Sequence, residues 1–299
     1  MKLLVVVGKI VLALSLLSNV AAQAEGEKTK LDMEPPKHLD RKGLFVLTPH
    51  KVRELQVKSI TTSDWLCEKD GRLTDRQQGA YVEYDELGRL IRFTGHVDQR
   101  GHMEVEYQYD KEGRILEEKV FSKKGEVREL AVRAVFDYGN PRSKEQTVYD
   151  GQGAMVSRAR FSFDDAGRVA KIEKLDVATR DVLAEAKRTY DKQSNFVEEL
   201  GAAGRTAHSL ENNVLAVSRY AGPKGLFSKG TLHSVEQYAF DERGNLLSFF
   251  RKSGDGSFWD RFTYKLDEQG LPVEKIWSRL EYVLQDPYEL TKYSYEFYK

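Results

Sequence analysis

A short pattern recurs along most of this 299-residue chain, and it constrains the fold more than any other feature. In most copies, two aromatic or apolar residues spaced two apart precede an acidic residue, and glycine follows three positions after the acid. The clearest copies are Tyr81–Leu90, Glu106–Ile115, Arg160–Val169 and Gln237–Leu246. Successive acids lie 25 to 29 residues apart, with one gap of 50 that leaves room for two units. A period of about 26 indicates one supersecondary unit used many times.

The residues before each acid predict β-strands. Side chains alternate between the two faces of a strand, so the two aromatic columns share one face. Polar residues such as Gln108 and Ser162 occupy the other face, which is the pattern of a half-buried strand. The composition of residues 181–190 suits a helix, but their place in the repeat favours a strand. The sequence therefore predicts an all-β fold of tandem antiparallel β-hairpin repeats that form an open, curled or superhelical sheet.

The acid and the glycine predict the hairpin turn. Aspartate can accept hydrogen bonds from the backbone amides that follow it, and glycine tolerates positive φ. A type I turn followed by a left-handed residue closes a hairpin with a bulge. Asn140 and Ser194 stand where glycine is expected, and positive φ is expected at Asn140. The structural turn residues of the four clearest copies are Asp85, Gly88, Asp110, Gly113, Asp164, Gly167, Asp241 and Gly244.

The distribution of charged, apolar and repeated residues divides the chain into four segments. Residues 1–24 resemble a cleavable export signal, with Lys2 and Lys9 at the start, an apolar core and a small residue at Ala24. The alternative is an uncleaved membrane anchor. Residues 25–42 are polar and predict a flexible tether. Residues 43–80 are expected to supply N-terminal strands that cap the array, and residues 81–299 to form the repeat array. We expect a periplasmic or secreted protein with no integral membrane segment after cleavage.

Composition excludes some classes of partner and scaffold. Lysine plus arginine equals aspartate plus glutamate, 47 against 47, so no basic excess points to nucleic acid. Cys67 is the single cysteine and cannot form an internal disulfide. We expect it to act as a small buried hydrophobic residue, the alternative being a reactive or intermolecular thiol.

No residue cluster in the sequence predicts a reaction. The repeated aspartates recur at one turn position, which favours a structural role over acid–base catalysis. His96 and His102 flank a loop that contains Asp98, but their spacing matches no standard zinc pattern. The expectation is a non-enzyme without a metal or cofactor.

Aromatic side chains are the candidate binding residues. Tyrosine and phenylalanine number 15 and 14, and the rings could either fill the repeat core or stack on a ligand. By alternation Trp259 falls on the face opposite Phe262, so it is the best candidate for exposure. Trp277 and Tyr282 are further candidates.

The Tyr-Asp-x-x-Gly-Arg-Leu core resembles the YD repeat of the RHS family. Tyr84–Leu90 matches it at every defining position, and Tyr109–Ile115 nearly so. The resemblance implies a curling sheet of successive hairpins, which in large relatives wraps into a shell around a toxin segment. This chain has too few repeats for a closed shell by that comparison. Asp286-Pro287 only partly matches the self-cleavage motif of those relatives, because Glu289 replaces glycine. Toxin delivery is therefore not expected.

Three functional hypotheses remain. The first is a non-catalytic exported scaffold that binds a protein or glycan partner in the cell envelope. The second is a structural or antitoxin-like partner in an RHS-type toxin or surface system. The third is an envelope enzyme of unknown class.

Overall fold

A computed structural model describes residues 49–67, 72–76, 79–96, 102–124, 127–192, 196–201, 204–211, 214–221, 231–240, 246–253, 256–281 and 284–298. The predicted export signal and tether (1–42) lie outside these ranges, as do Tyr282, Asp98 and the Asp241–Gly244 turn. Within the described ranges, one short helix, α1 (Pro49–Glu54), precedes the strands. The described residues include no helix with the length and apolarity that a membrane crossing requires.

All other regular elements in the described ranges are strands of one antiparallel sheet. Their bounds are β1 (Val57–Cys67), β2 (Leu73–Arg76), β3 (Tyr81–Tyr84), β4 (Leu90–His96), β5 (His102–Tyr109), β6 (Ile115–Lys124), β7 (Val127–Asn140), β8 (Ser143–Asp150), β9 (Met155–Phe163), β10 (Val169–Leu175), β11 (Val182–Tyr190), β12 (Phe196–Gly201), β13 (Gly204–Glu211), β14 (Val214–Ala221), β15 (Thr231–Phe240), β16 (Leu246–Ser253), β17 (Gly256–Leu266), β18 (Pro272–Glu281) and β19 (Leu284–Phe297). The all-β prediction is confirmed, and the helix-like segment 181–190 contains strand β11.

The sheet closes into a barrel, so the predicted open sheet is wrong. The first strand, β1, pairs antiparallel with the last, β19, from Val57 opposite Phe297 to Leu66 opposite Glu289. The other edge of β1 pairs with both β2 and β3, which share one position of the ring. The ring therefore has eighteen strand positions. The strand that closes the barrel, β1, comes from the segment before the repeats, so counting repeats alone underestimated the number of strands in the ring. Closure also pairs backbone groups that an open sheet edge would leave exposed.

The buried face of the sheet is the barrel interior. Burial alternates along β5 and β8, and apolar side chains on one face, such as Val120 and Ala134, are only 1% exposed. The outer side of a closed sheet has no second layer to cover it, so side chains buried this deeply must point inward. Among the described residues, four apolar clusters line this interior, and the largest of them joins β5 to β8.

The two ends of the barrel are different. Strands β3, β5, β7, β9 and β17 all run toward one end, where the hairpins with the repeated acid turn. We call this the motif end, and the other the opposite end. Helix α1 also lies at the motif end, where Val52 packs in a cluster with Tyr84 and Leu271. The aromatic repeat columns therefore line the interior near one rim.

Candidate functional site

Each well-formed repeat turn is held by its aspartate. In the first copy, Asp85 Oδ1 accepts hydrogen bonds from the amides of Leu87 (3.0 Å) and Arg89 (2.9 Å). Gly88 adopts φ of 74°, in the region where a side chain would be strained. The Asp85 carbonyl accepts a hydrogen bond from the Gly88 amide, and the Asp85 amide donates to the Arg89 carbonyl (both 2.9 Å), so Gly88 and Arg89 together oppose Asp85 as in a left-handed glycine bulge. The same geometry recurs with Asp110 and Gly113, Asp164 and Gly167, and Asp267 and Gly270.

In three of these four turns, an arginine four residues after the acid links the turn to the next repeat, whereas Leu271 holds that position after Asp267. Arg89 Nε donates to Asp85 Oδ2 at 2.6 Å, and its guanidinium lies 4.8 Å from the Tyr109 ring centre. The Tyr109 hydroxyl donates back to the Leu90 carbonyl at 2.7 Å. The same Asp–Arg–Tyr arrangement joins Asp110, Arg114 and Tyr138, and Asp164, Arg168 and Tyr190.

These contacts engage the repeated acids in structural hydrogen bonds. Desolvation opposes ionisation of Asp110 and Asp164, but hydrogen bonds from Arg114 and Arg168 outweigh it and lower the pKa of both carboxyls. A carboxylate held ionised by a turn and a guanidinium is a poor proton donor at neutral pH. The arginine column was missed as a structural element, although Arg89, Arg114 and Arg168 recur at one position in the sequence.

One repeat turn departs from the pattern. Asn140 does not adopt positive φ; the positive-φ residues other than glycine in the described ranges are Gln56 and Arg180. Instead Asn140 pairs directly with Ser143, and its Oδ1 accepts a hydrogen bond from the Arg142 amide at 2.8 Å. The expectation of a left-handed Asn140 was therefore wrong, because a tighter two-residue turn replaces the bulged one.

The outer face from β3 to β11 carries a band of cross-strand ion pairs. Glu117 on β6 contacts both Lys119 and Arg133, and Arg160 on β9 contacts both Glu145 and Glu173. Arg128 reaches Glu104 and Glu106 on β5, and Lys171 joins Glu173 to Glu185. A shallow cavity of about 200 Å³ opens in this band beside Arg92, Gln108 and Lys119.

Trp259 lies on the outer face of β17 and is 50% exposed. Asp260 and Phe262, which follow it on the inner face, are buried, with exposed fractions of 0% and 3%. The Phe250 ring on β16 meets the indole edge to face, with ring centres 6.5 Å apart and an interplanar angle of 80°. Exposed Lys252 and Arg261 lie two residues from these rings on the same strand face. We call Phe250, Lys252, Trp259 and Arg261 the aromatic patch.

The other two binding candidates do not join this patch. Trp277 is 4% exposed and packs in the interior with Leu246, Phe249 and Phe262. Tyr282 lies outside the described residues. Trp259 is therefore the one sequence-predicted binding residue that the structure places on an open surface within the described ranges.

Ionisable side chains are also buried inside the barrel. Glu118 is 2% exposed and faces Tyr107 across the β5–β6 pair, and no described residue forms a hydrogen bond with its Oε2. Burial raises the pKa of Glu118 to about 8. Lys144 lies between the Phe136 and Phe161 rings, and burial, followed by the charge of Arg188, lowers its pKa to about 8.

Metal binding has no support in the described residues, where no group of three or more His, Cys, Asp or Glu side chains is arranged around a common point. His96 and His102 are register partners at the ends of β4 and β5, while Asp98 falls outside the described ranges.

Comparisons with known proteins give weak similarities only. No protein-family model matches the chain, and no characterised protein matches it in sequence. A crystal structure of a porin-like protein from Bacteroides uniformis is similar at a TM-score of 0.42 and 11% identity, over 81% of this chain and 97% of that one. The Photorhabdus luminescens Tc holotoxin pore gives a TM-score of 0.29 and 11% identity over 74% of this chain and 14% of that one. A porin-like protein from Bacteroides vulgatus gives 0.25 and 13%, over 80% and 98%. Because these TM-scores are all below 0.5, the three similarities assign neither a family nor a function.

Proposed function

We propose that this chain is a non-catalytic binding protein of the bacterial cell envelope that recognises a glycan through the aromatic patch. The observation that carries the proposal is Trp259, a half-exposed indole braced by Phe250 and flanked by two cationic side chains. An exposed ring beside hydrogen-bond donors suits stacking on the apolar face of a sugar while its hydroxyls are bound at the edges. The export signal predicted in residues 1–24 supports the envelope as its location.

The ion-paired outer face supports a barrel that is surrounded by water. A lipid-facing barrel presents an apolar outer band, and an arginine or lysine at the bilayer midplane costs about 2–4 kcal/mol. Here the outer side of β3 to β11 carries ion pairs, while the apolar residues of the β5 to β8 cluster point inward. We therefore expect the protein in the aqueous fraction after cell breakage without detergent. Recovery only in detergent extracts of the membrane would contradict this part of the proposal.

The proposal includes no catalysed reaction because the repeated aspartates already have structural partners. The repeated aspartates in the described turns are held by backbone amides and arginines. These hydrogen bonds support a structural role for the aspartates. An assay for catalytic turnover by the purified protein would test the enzyme hypothesis.

The direct test is binding of purified protein to the polysaccharide and protein fractions of the envelope, each immobilised separately. Trp259→Ala should weaken binding to the polysaccharide fraction at least tenfold, as truncation of a central aromatic anchor does. Phe297→Ala is the matched control, because Phe297 is also an exposed aromatic residue (42%) but lies on β19, away from the patch. Equal binding by both variants would refute the claim that the aromatic patch binds the polysaccharide. Binding to a protein that survives Trp259→Ala would favour the partner hypothesis instead.

A further inference from the structure

Two arginines inside the barrel share one carboxylate. Glu236 on β15 is 8% exposed, and its Oε1 lies 2.8 Å from Arg219 Nη1 on β14 and 3.8 Å from Arg251 Nε on β16. Its Oε2 accepts a hydrogen bond from the Tyr238 hydroxyl at 3.0 Å. Both oxygens of the acid are therefore engaged, and the cluster keeps one positive charge in excess.

The cluster faces the interior near the opposite end. Glu236 is opposite Val217 and Arg251 in register, and the next inward pair toward the motif end is Tyr238 with Phe249, which belongs to an interior aromatic cluster. Arg219 and Arg251 each lie two residues before the last residue of their strand, β14 and β16, which run toward the opposite end. The cluster therefore lies on the inner face of the barrel close to this end.

The arginines retain unused donor capacity. The side chains of Arg219 and Arg251 are 42% and 33% exposed, so part of each guanidinium faces solvent. Arg251 Nε is buried and has no hydrogen-bond partner among the described residues, since its distance to Glu236 is too long for one. A guanidinium carries five N–H donors, and a single carboxylate can match only a few of the ten donors of two arginines.

We propose that Arg219 and Arg251 form an oxyanion-binding site inside the barrel, which takes the phosphate or carboxylate group of a small organic ligand. Guanidinium groups bind both oxyanions through paired, charge-assisted hydrogen bonds. Glu236 positions the two arginines and limits their mutual repulsion. This site lies on the inner face, whereas the aromatic patch lies on the outer face, so either can be correct without the other.

The experiment is a calorimetric titration of the full purified protein with inorganic phosphate and, separately, with acetate. We expect saturable binding of at least one anion, and the tighter of the two identifies the ligand group. Arg219→Gln and Arg251→Gln should each weaken that binding about tenfold or more, the loss expected for a charge-assisted hydrogen bond. Arg142→Gln is the matched control, because Arg142 lies in the turn between β7 and β8, away from the cluster, and its side chain is 79% exposed. It should bind as the unmodified protein does.

Arg219→Lys and Arg251→Lys cover the case in which a glutamine variant fails to fold. Lysine keeps the charge but loses the forked donor geometry, so binding should weaken while the circular dichroism spectrum stays unchanged. The absence of saturable binding of either anion would overturn the proposal. Binding that Arg219 and Arg251 variants leave as strong as the Arg142 control would also overturn it.

Discussion

Glu118 should make the barrel less stable as the pH rises. Its carboxyl has a pKa of 4.5 in the unfolded chain, and burial against Tyr107 and Ala134 raises the pKa to about 8. Between these values the unfolded chain releases a proton that the folded barrel retains, so the free energy of unfolding falls with pH. The loss is fully present above pH 8 and absent below pH 4.5.

The magnitude follows from the two pKa values. Each unit of difference corresponds to about 1.4 kcal/mol, so the rise from 4.5 to about 8 amounts to about 4–5 kcal/mol. Glu118→Gln has nearly the same shape and cannot ionise. Relative to the unmodified protein, this variant should gain stability steadily from pH 5 to pH 8 and then keep a constant advantage. Urea unfolding at each pH, followed by circular dichroism, measures the difference.

Glu117→Gln is the matched control from the next position on the same strand. Desolvation of Glu117 is outweighed by hydrogen bonds from Lys119 and Arg133 on the outer face, which lower its pKa. Its stabilisation is therefore present at neutral pH and lost as the pH falls through the folded pKa. Glu117→Gln should destabilise at pH 7 and have less effect near pH 4. Parallel stability curves for Glu118→Gln and the unmodified protein would refute the buried, protonated carboxyl.

Three further changes test the packing and the turns. Lys144→Met should raise stability at pH 7 by about 3 kcal/mol, because the folded pKa of Lys144 falls from 10.5 to about 8, and the advantage should shrink between pH 8 and 10.5; a constant advantage would contradict this. Gly113→Ala should cost about 1–2 kcal/mol in urea unfolding, because Gly113 has φ of 81°, whereas Glu112→Ala in the same turn should cost little; equal effects would count against the left-handed turn. Tyr109→Phe should cost about 1 kcal/mol through the lost hydrogen bond to the Leu90 carbonyl, and an unchanged urea midpoint would argue against that inter-repeat contact.

The local parts of the fold were accessible from the sequence because they depend on neighbouring residues. Alternation around Tyr107 and Phe161 identifies strands, and the same reasoning distinguishes the inner Phe262 from the outer Trp259. The turns depend on residues within five positions of each other, such as Asp85 and Arg89. These relations repeat, so each copy strengthens the inference.

The closure of the barrel could not be predicted from the sequence in the same way. Strand β1 carries no copy of the repeat, and its partner β19 is more than 200 residues away along the chain; Ser294 and Thr61, for example, are 233 residues apart. Non-local pairing leaves no short-range signature. Two interior sites were missed for a related reason. Arg219, Glu236 and Arg251 come together only through the register of three strands, and Glu118 is an acid at a position where alternation predicts an apolar side chain.

The measurement that tests the closed barrel most directly is a disulfide between β1 and β19. Thr61 and Ser294 are exposed register partners, and opposite residues of antiparallel strands lie within the Cα separation that a disulfide needs. The pair Thr61→Cys and Ser294→Cys would be made with Cys67→Ser, and the single-cysteine variants would serve as controls. Mild oxidation should give one intramolecular disulfide, found by mass spectrometry of the proteolysed monomer, and should raise the urea midpoint. Two free thiols after oxidation, or only intermolecular crosslinks, would contradict the closed barrel.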